Sequence, residues 1–284
     1  MICFNMKKRG LVIAIIGLTS IAIICGLFLM NNNSDTPEIS QTSNSTQWTL
    51  VKNSGSIFHV FIPAISENNS NPPSNLKFEL NPENNLLYDE IRYDSTQNAI
   101  VVLPLFTASA YSNPGFYSYY TGNCDESCLT VPLVSHWKFT SSEAAILTFE
   151  LLEYPFTNDY LISKNPEILN QYDAVFLLHN EYVTKSEFDA ILNHPNVIYL
   201  YPNALYAEVI LNSDDTISLV KGHNYPLDEI KNGFDWEFDN SPLEYDTDCN
   251  NIEFYEIDNG WMLNCYPENG FDVNPKFLKS LKDF

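Results

Sequence analysis

Glycine is scarce in this chain, with ten among 284 residues. Phosphate-cradling loops and the nucleophile elbow of α/β hydrolases both need glycine where the backbone turns tightly or a ligand approaches closely. Neither pattern is present. Ser109, in Thr107-Ala108-Ser109-Ala110, lacks flanking glycines, and the strand-end turn Pro202-Asn203-Ala204 holds neither a glycine nor a nucleophilic cysteine. Basic residues are also few: 14 Lys and Arg stand against 36 Asp and Glu, for a net charge of −22. Such a surface repels nucleic acid and anionic lipid, which argues against both as partners. Internal repeats are lacking too, which excludes solenoids and propellers.

One long hydrophobic run is present. Lys7-Lys8-Arg9 precede an uncharged stretch of 21 residues from Gly10 to Met30. That length spans a bilayer as a helix, and the basic cluster before it keeps the N-terminus cytoplasmic. No small-x-small site closes the run, and Ile23 and Ile24 before Cys25 are bulky for a lipoprotein signal. Residues 1–30 are therefore expected to be an uncleaved transmembrane anchor, with a cleavable signal peptide as the competing reading. The rest of the chain is expected outside a cell membrane. All 36 acids but only 11 basic residues follow Met30, so that portion carries −25, a solvated acidic surface.

Four of the six cysteines, Cys124, Cys128, Cys249 and Cys265, follow the hydrophobic run. An even number in an oxidising compartment suggests two disulfides, and pairing of chain neighbours is one of three connectivities. Zinc held by Cys124, Cys128 and His136 is the alternative, weakened by the lack of a second Cys pair.

Residues 31–47 are rich in Asn, Ser and Thr and read as a flexible stalk, with glycosylation sequons at Asn32, Asn44 and Asn68. Residues 48–98 suggest a small β-rich lead-in. From Ala99 onward, apolar runs alternate with helix signals. Ile100–Leu105, Ala174–Leu178 and Val197–Tyr201 read as strands, with a short strand over Tyr160–Ile162. Thr140-x-x-Glu143 and Thr184-x-x-Glu187 read as capping boxes opening helices. Strands spaced by helices of about ten residues imply an α/β domain over 99–284, a parallel sheet with flanking helices. Asn212–Asp215 and Asp258-Asn259-Gly260 then mark hairpins in a β-rich C-terminal part.

In open α/β sheets, ligands bind beyond the carboxyl ends of the strands. Ala174–Leu178 runs into His179-Asn180-Glu181-Tyr182, and Val197–Tyr201 runs into Pro202-Asn203-Ala204-Leu205-Tyr206. A third polar cluster is Gly222-His223-Asn224-Tyr225. An imidazole, a carboxylate and a phenol at one strand end can serve one cavity; equally, Glu181 can cap the next helix while His179 closes the sheet. Gly233-Phe234-Asp235-Trp236-Glu237-Phe238-Asp239 interleaves acids with aromatics, and its period of two fits a strand with the rings inward.

His-x-Glu-Tyr at 179–182, Asn-Ala-Leu-Tyr at 203–206 and Gly-x-x-Trp-Glu-Phe-Asp at 233–239 together resemble the catalytic core of the N,N-dimethylformamidase large subunit, over about Ala99 to Asp239. Tyr201-Pro202 stands where that family has Gly-Gly, and Val183 where it often has Trp. The resemblance implies a flavodoxin-like fold similar to class I glutamine amidotransferases. It also implies a mononuclear iron bound by Tyr182, Tyr206 and Glu237 that hydrolyses an amide. Phenolates and a carboxylate are hard donors suited to a ferric Lewis acid that activates water. His179 and Glu181 are then the expected catalytic groups, and Asn180, Asn203, His223 and Asn224 the expected ligand contacts. Two functions follow as expectations: a metal-dependent amide hydrolase, or a non-catalytic surface module that binds a small ligand in the same strand-end pocket.

Overall fold

Apolar runs of β-branched and aliphatic residues form the strands, and polar segments between them supply helices and turns. A computed structural model describes residues 47–51, 55–64, 76–135 and 140–284. The Gly10–Met30 run, nearly all of the 31–47 segment, the three sequons and His136 lie outside these residues. Trp48–Val51 (β1), Phe58–Pro63 (β2) and Lys77–Leu80 (β3) form an antiparallel sheet, followed by α1 (Asn85–Ile91). The chain continues through β4 (Ala99–Leu103), α2 (Leu105–Ala110), α3 (Phe116–Tyr120), β5 (Thr130–Pro132) and α4 (Glu143–Leu151). Next come β6 (Phe156–Asn158), α5 (Asp159–Lys164), β7 (Ala174–Leu177), β8 (Tyr182–Thr184), α6 (Lys185–Asn193) and β9 (Val197–Tyr199). Two hairpins, β10 (Ala207–Leu211) with β11 (Thr216–Lys221) and β12 (Phe254–Ile257) with β13 (Gly260–Leu263), precede α7 (Pro275–Ser280).

The largest sheet has the order β12-β13-β9-β7-β4-β6. Every neighbouring pair in it is parallel except β12 with β13. Its strands alternate their burial between two faces. Ala99, Val101 and Leu103 pack with Ala145 and Phe149 of α4, whereas Ile100 and Val102 pack with Ile162 of α5 and Ile191 of α6. Cover on both faces is what a parallel sheet needs, and it makes β4, β7 and β9 apolar throughout. A second sheet, β5-β11-β10-β8, lies against α2 and α3 through Phe106, Ala110, Phe116 and Val209.

The expected architecture, a transmembrane helix followed by one parallel-sheet domain, is corrected. The described chain is a mixed α/β fold with three sheets, and no helix among the described residues is long and apolar enough to cross a membrane. The anchor assigned to residues 1–30 falls outside those residues and receives no support. Two disulfides are present, Cys124–Cys128 and Cys249–Cys265, in keeping with an oxidising, extracytoplasmic compartment. With both sulfurs engaged, Cys124 and Cys128 are not zinc ligands.

Three local expectations also change. Tyr160–Ile162 is helical, because the Asn158 side chain accepts from Leu161 N at 3.0 Å and caps α5. At α4, Glu143 Oε1 accepts from Leu76 N at 3.1 Å, which ties this helix to the chain entering β3. Residues 233–239 form turns rather than a strand, and their rings are pinned to neighbours: Phe234 stacks on Phe188 at 4.0 Å, and Trp236 lies 5.3 Å from Tyr199.

Candidate acid–base site at the sheet switch point

The chain leaves β4 for β6 on one side and then crosses to β7 on the other, so strand order reverses between β4 and β7. Loops leaving the carboxyl ends of two such strands diverge and open a crevice. Here β4 leads through Pro104 into α2, and β7 leads through Leu178 into His179-Asn180-Glu181. The two exits are tied together. Thr107 Oγ1 accepts from Glu181 N at 3.0 Å and from Tyr182 N at 3.2 Å. The Glu181 carbonyl accepts from Tyr206 N at 3.0 Å and Ala207 N at 2.9 Å, and the Asn180 carbonyl accepts from Leu205 N at 3.0 Å. The backbone at residues 180–182 is therefore held by two separate segments, Thr107 and residues 205–207.

Glu181 is fully buried, and one of its oxygens is hydrogen-bonded to His223 Nε2; the other lies 3.8 Å from His179 Nε2. Burial by itself drives the Glu181 carboxyl up. The His223 hydrogen bond and the charges of His223 and His179 outweigh that and hold it below the ordinary range. His179 is held low by burial, against the opposing pull of Glu181 and Glu244. The His223 side chain is 24% exposed, so the pair runs from the interior to the surface. His223 itself has φ +53, and its N–H donates to Lys231 O at 2.9 Å. The preceding Gly222 lies so close to Ala207 that a Cβ would meet the Ala207 Cβ at 2.8 Å, and this approach brings the imidazole over the end of β8.

Tyrosines surround the imidazole. Ring centroids of Tyr206, Tyr120 and Tyr182 lie 4.7, 5.0 and 5.5 Å from that of His223. The hydroxyls of Tyr120 and Tyr182 are 3.1 Å apart, and the Tyr111 ring is edge-on to Tyr182 at 6.3 Å. Burial and the Glu181 charge push the Tyr111 and Tyr182 phenols well above their ordinary value. For Tyr206 the causes are burial, then Asp239 and Glu181. All of these rings are phenols, not phenolates, at neutral pH.

Behind the strand end, Asp159 is fully buried, accepting from Phe106 N at 2.7 Å and from Asn180 Nδ2 at 2.5 Å. Glu187, also fully buried, is its carboxyl partner. Burial pushes Asp159 up to about 7, and burial plus the Asp159 charge drives Glu187 up too, so the two carboxyls share a proton.

Of the residues expected from sequence, the structure brings together His179, Asn180, Glu181, Tyr182, Tyr206 and His223. It leaves three apart. Asn203 is buried in the turn after β9 at φ +56, and Asn224 is exposed and hydrogen-bonded to Lys231. Glu237 is exposed on a different pocket, lined by Phe188, Leu192, Trp236 and Asp258, while the acids acting on Tyr206 are Asp239, Glu181 and Glu244. The residues expected to hold iron are thus divided between two places, Tyr182 and Tyr206 beside His223 and Glu237 on this second pocket. Among the described residues no group of three or more His, Cys, Asp and Glu could hold a metal ion. Sequence reasoning passed over Thr107, Asp159, Tyr111, Tyr120 and Glu244. The one signal for them was the aromatic density of residues 111–120, with Tyr111, Phe116, Tyr117, Tyr119 and Tyr120 in ten positions.

Compared with known proteins, the chain matches no family model and no curated sequence.

Proposed function

We propose that this protein is an extracytoplasmic hydrolase in which His223 acts as general base on a water, with Glu181 as its positioning residue. The observation that carries this reading is the fully buried Glu181 carboxylate hydrogen-bonded to a partly exposed imidazole at the switch point of the sheet. A carboxylate on one ring nitrogen fixes the tautomer and leaves the other nitrogen to take a proton from water. Among the described residues, the hydrogen bond of the His223 side chain is to Glu181, so the nucleophile at hand is water rather than a serine or cysteine. Phenol hydroxyls of Tyr120, Tyr182 and Tyr206 stay protonated and can donate to a developing oxyanion. The scissile bond we assign is an amide, on the strength of the motifs at 179–182 and 203–206. No step of this reading passes through iron.

A panel of chromogenic anilides and simple amides, assayed with wild type and His223→Gln, tests it. Hydrolysis that falls roughly 10²- to 10⁴-fold in the variant supports a general base. Equal rates in the two proteins would remove His223 from the chemistry. The tyrosine lining also suits a module that holds a ligand without turning it over; that reading takes over if no amide is cleaved while a small molecule binds the same rings.

A further inference from the structure

Apart from its own two histidines, the charged groups acting on this site are carboxylates. The groups that act on Tyr111, Tyr120, His179, Glu181, Tyr182 and Tyr206 include the carboxylates Glu181, Glu244 and Asp239, and no lysine or arginine is among them. Glu181 is engaged within the site by its hydrogen bond to His223. Among the described residues neither Glu244 nor Asp239 is in an ion pair, and Asp239 accepts from Ser241 N at 2.9 Å. Beside them the half-buried Tyr120 and Tyr206 rings stand 5.0 and 4.7 Å from His223, which is itself partly open to solvent. Tyrosine faces carry negative potential and attract a cation within about 6 Å, most strongly one that sheds water easily. Carboxylates without an ion-pair partner add to that attraction, and an anionic ligand would meet repulsion from both.

We infer that the ligand of this site carries a weakly hydrated organic cation, an alkylated ammonium group, seated against Tyr206 and Tyr120 with Glu244 and Asp239 at the rim. This rests on Glu181 and His223 marking the working site, and not on the site being hydrolytic. In the hydrolytic case the substrate is an amide bearing an ammonium group within reach of His223.

The test is a titration of the intact protein with choline, with its neutral isostere 3,3-dimethylbutan-1-ol and with acetate, followed by calorimetry and by NMR of the tyrosine and histidine rings. Choline is expected to shift the Tyr206, Tyr120 and His223 resonances and to bind about three- to thirty-fold more tightly than the alcohol. Glu244→Gln, a change at a half-buried surface position, is expected to weaken choline about three-fold or more; Tyr206→Phe, which keeps the ring, is expected to retain it. Equal binding of choline and the neutral alcohol, preferential binding of acetate, or no binding of choline would overturn the assignment. Choline binding without hydrolysis of any amide would sink the hydrolase reading alone. Conversely, hydrolysis of neutral amides that choline does not inhibit would sink the cation assignment alone.

Discussion

Asp159 gives the sharpest handle on stability. Its carboxyl is fully buried and is pushed up to about 7, with desolvation as the chief cause. An unfolded aspartate ionises near ~3.9. Between those values the folded state holds more protons than the unfolded one, so stability is full below about pH 4 and is lost as pH rises towards 7. Holding the carboxyl that far up corresponds to roughly 4 kcal/mol as an upper bound, and sharing the proton with Glu187 reduces it to about 2–4 kcal/mol. In Asp159→Asn the hydrogen bond from Phe106 N is kept. The Asn180 amide can turn over to accept from the new NH2, since its Oδ1 makes no hydrogen bond in the wild type. The ionisation is gone, and with it the Asp159 charge that adds to burial in raising Glu187. Wild type is expected to lose about 5–15 °C of Tm between pH 5 and pH 8, and the variant less than half as much, by calorimetry in buffers of matched ionic strength. Glu268, raised to about 7 by burial, acts in the same direction and leaves a residual slope in both proteins. A variant whose Tm falls as steeply as the wild type's would refute the shared-proton account.

Two further predictions concern the frame. Reducing Cys249–Cys265, or Cys265→Ser, reopens a 16-residue loop and should cost about 3 kcal/mol in urea unfolding, more than loss of the four-residue Cys124–Cys128 loop; a larger effect from the shorter loop would contradict this. Gly260→Ala would set a Cβ 1.9 Å from Val197 O, where β13 joins β9, and should destabilise by about 3 kcal/mol while leaving β4 and β7 protected longest in hydrogen exchange.

What could be read from the residues follows from burial. β4, β7 and β9 are covered on both faces, so each shows as an unbroken apolar run; Thr184 caps α6 within its own four residues, so that start is local information. The polar clusters at 179–182 and 222–225 stood out because they end or interrupt apolar segments. Long-range choices did not show. The parallel pairing of β8 with β10, which splits off the second sheet, depends on Glu181 and Tyr206 meeting through backbone bonds that leave no residue-type trace. The 233–239 segment has a strand's alternation, yet Gly233 N is taken by Tyr206 O and a Cβ at Gly233 would strike Lys221 O at 2.4 Å, so turns follow. That is also why Glu237 looked like a ligand beside Tyr206 and is instead on another pocket. Asp159 and Thr107 were hidden because their roles exist only once β4, β6 and β7 are side by side.

The measurement that bears most directly on the central claim is a double-mutant cycle for amide hydrolysis over Glu181→Gln and His223→Gln. If Glu181 works through His223, each single change slows the reaction and the double variant is no slower than His223→Gln alone. Rates whose losses multiply, or a His223→Gln protein as fast as wild type, would show that the two residues do not form one catalytic unit.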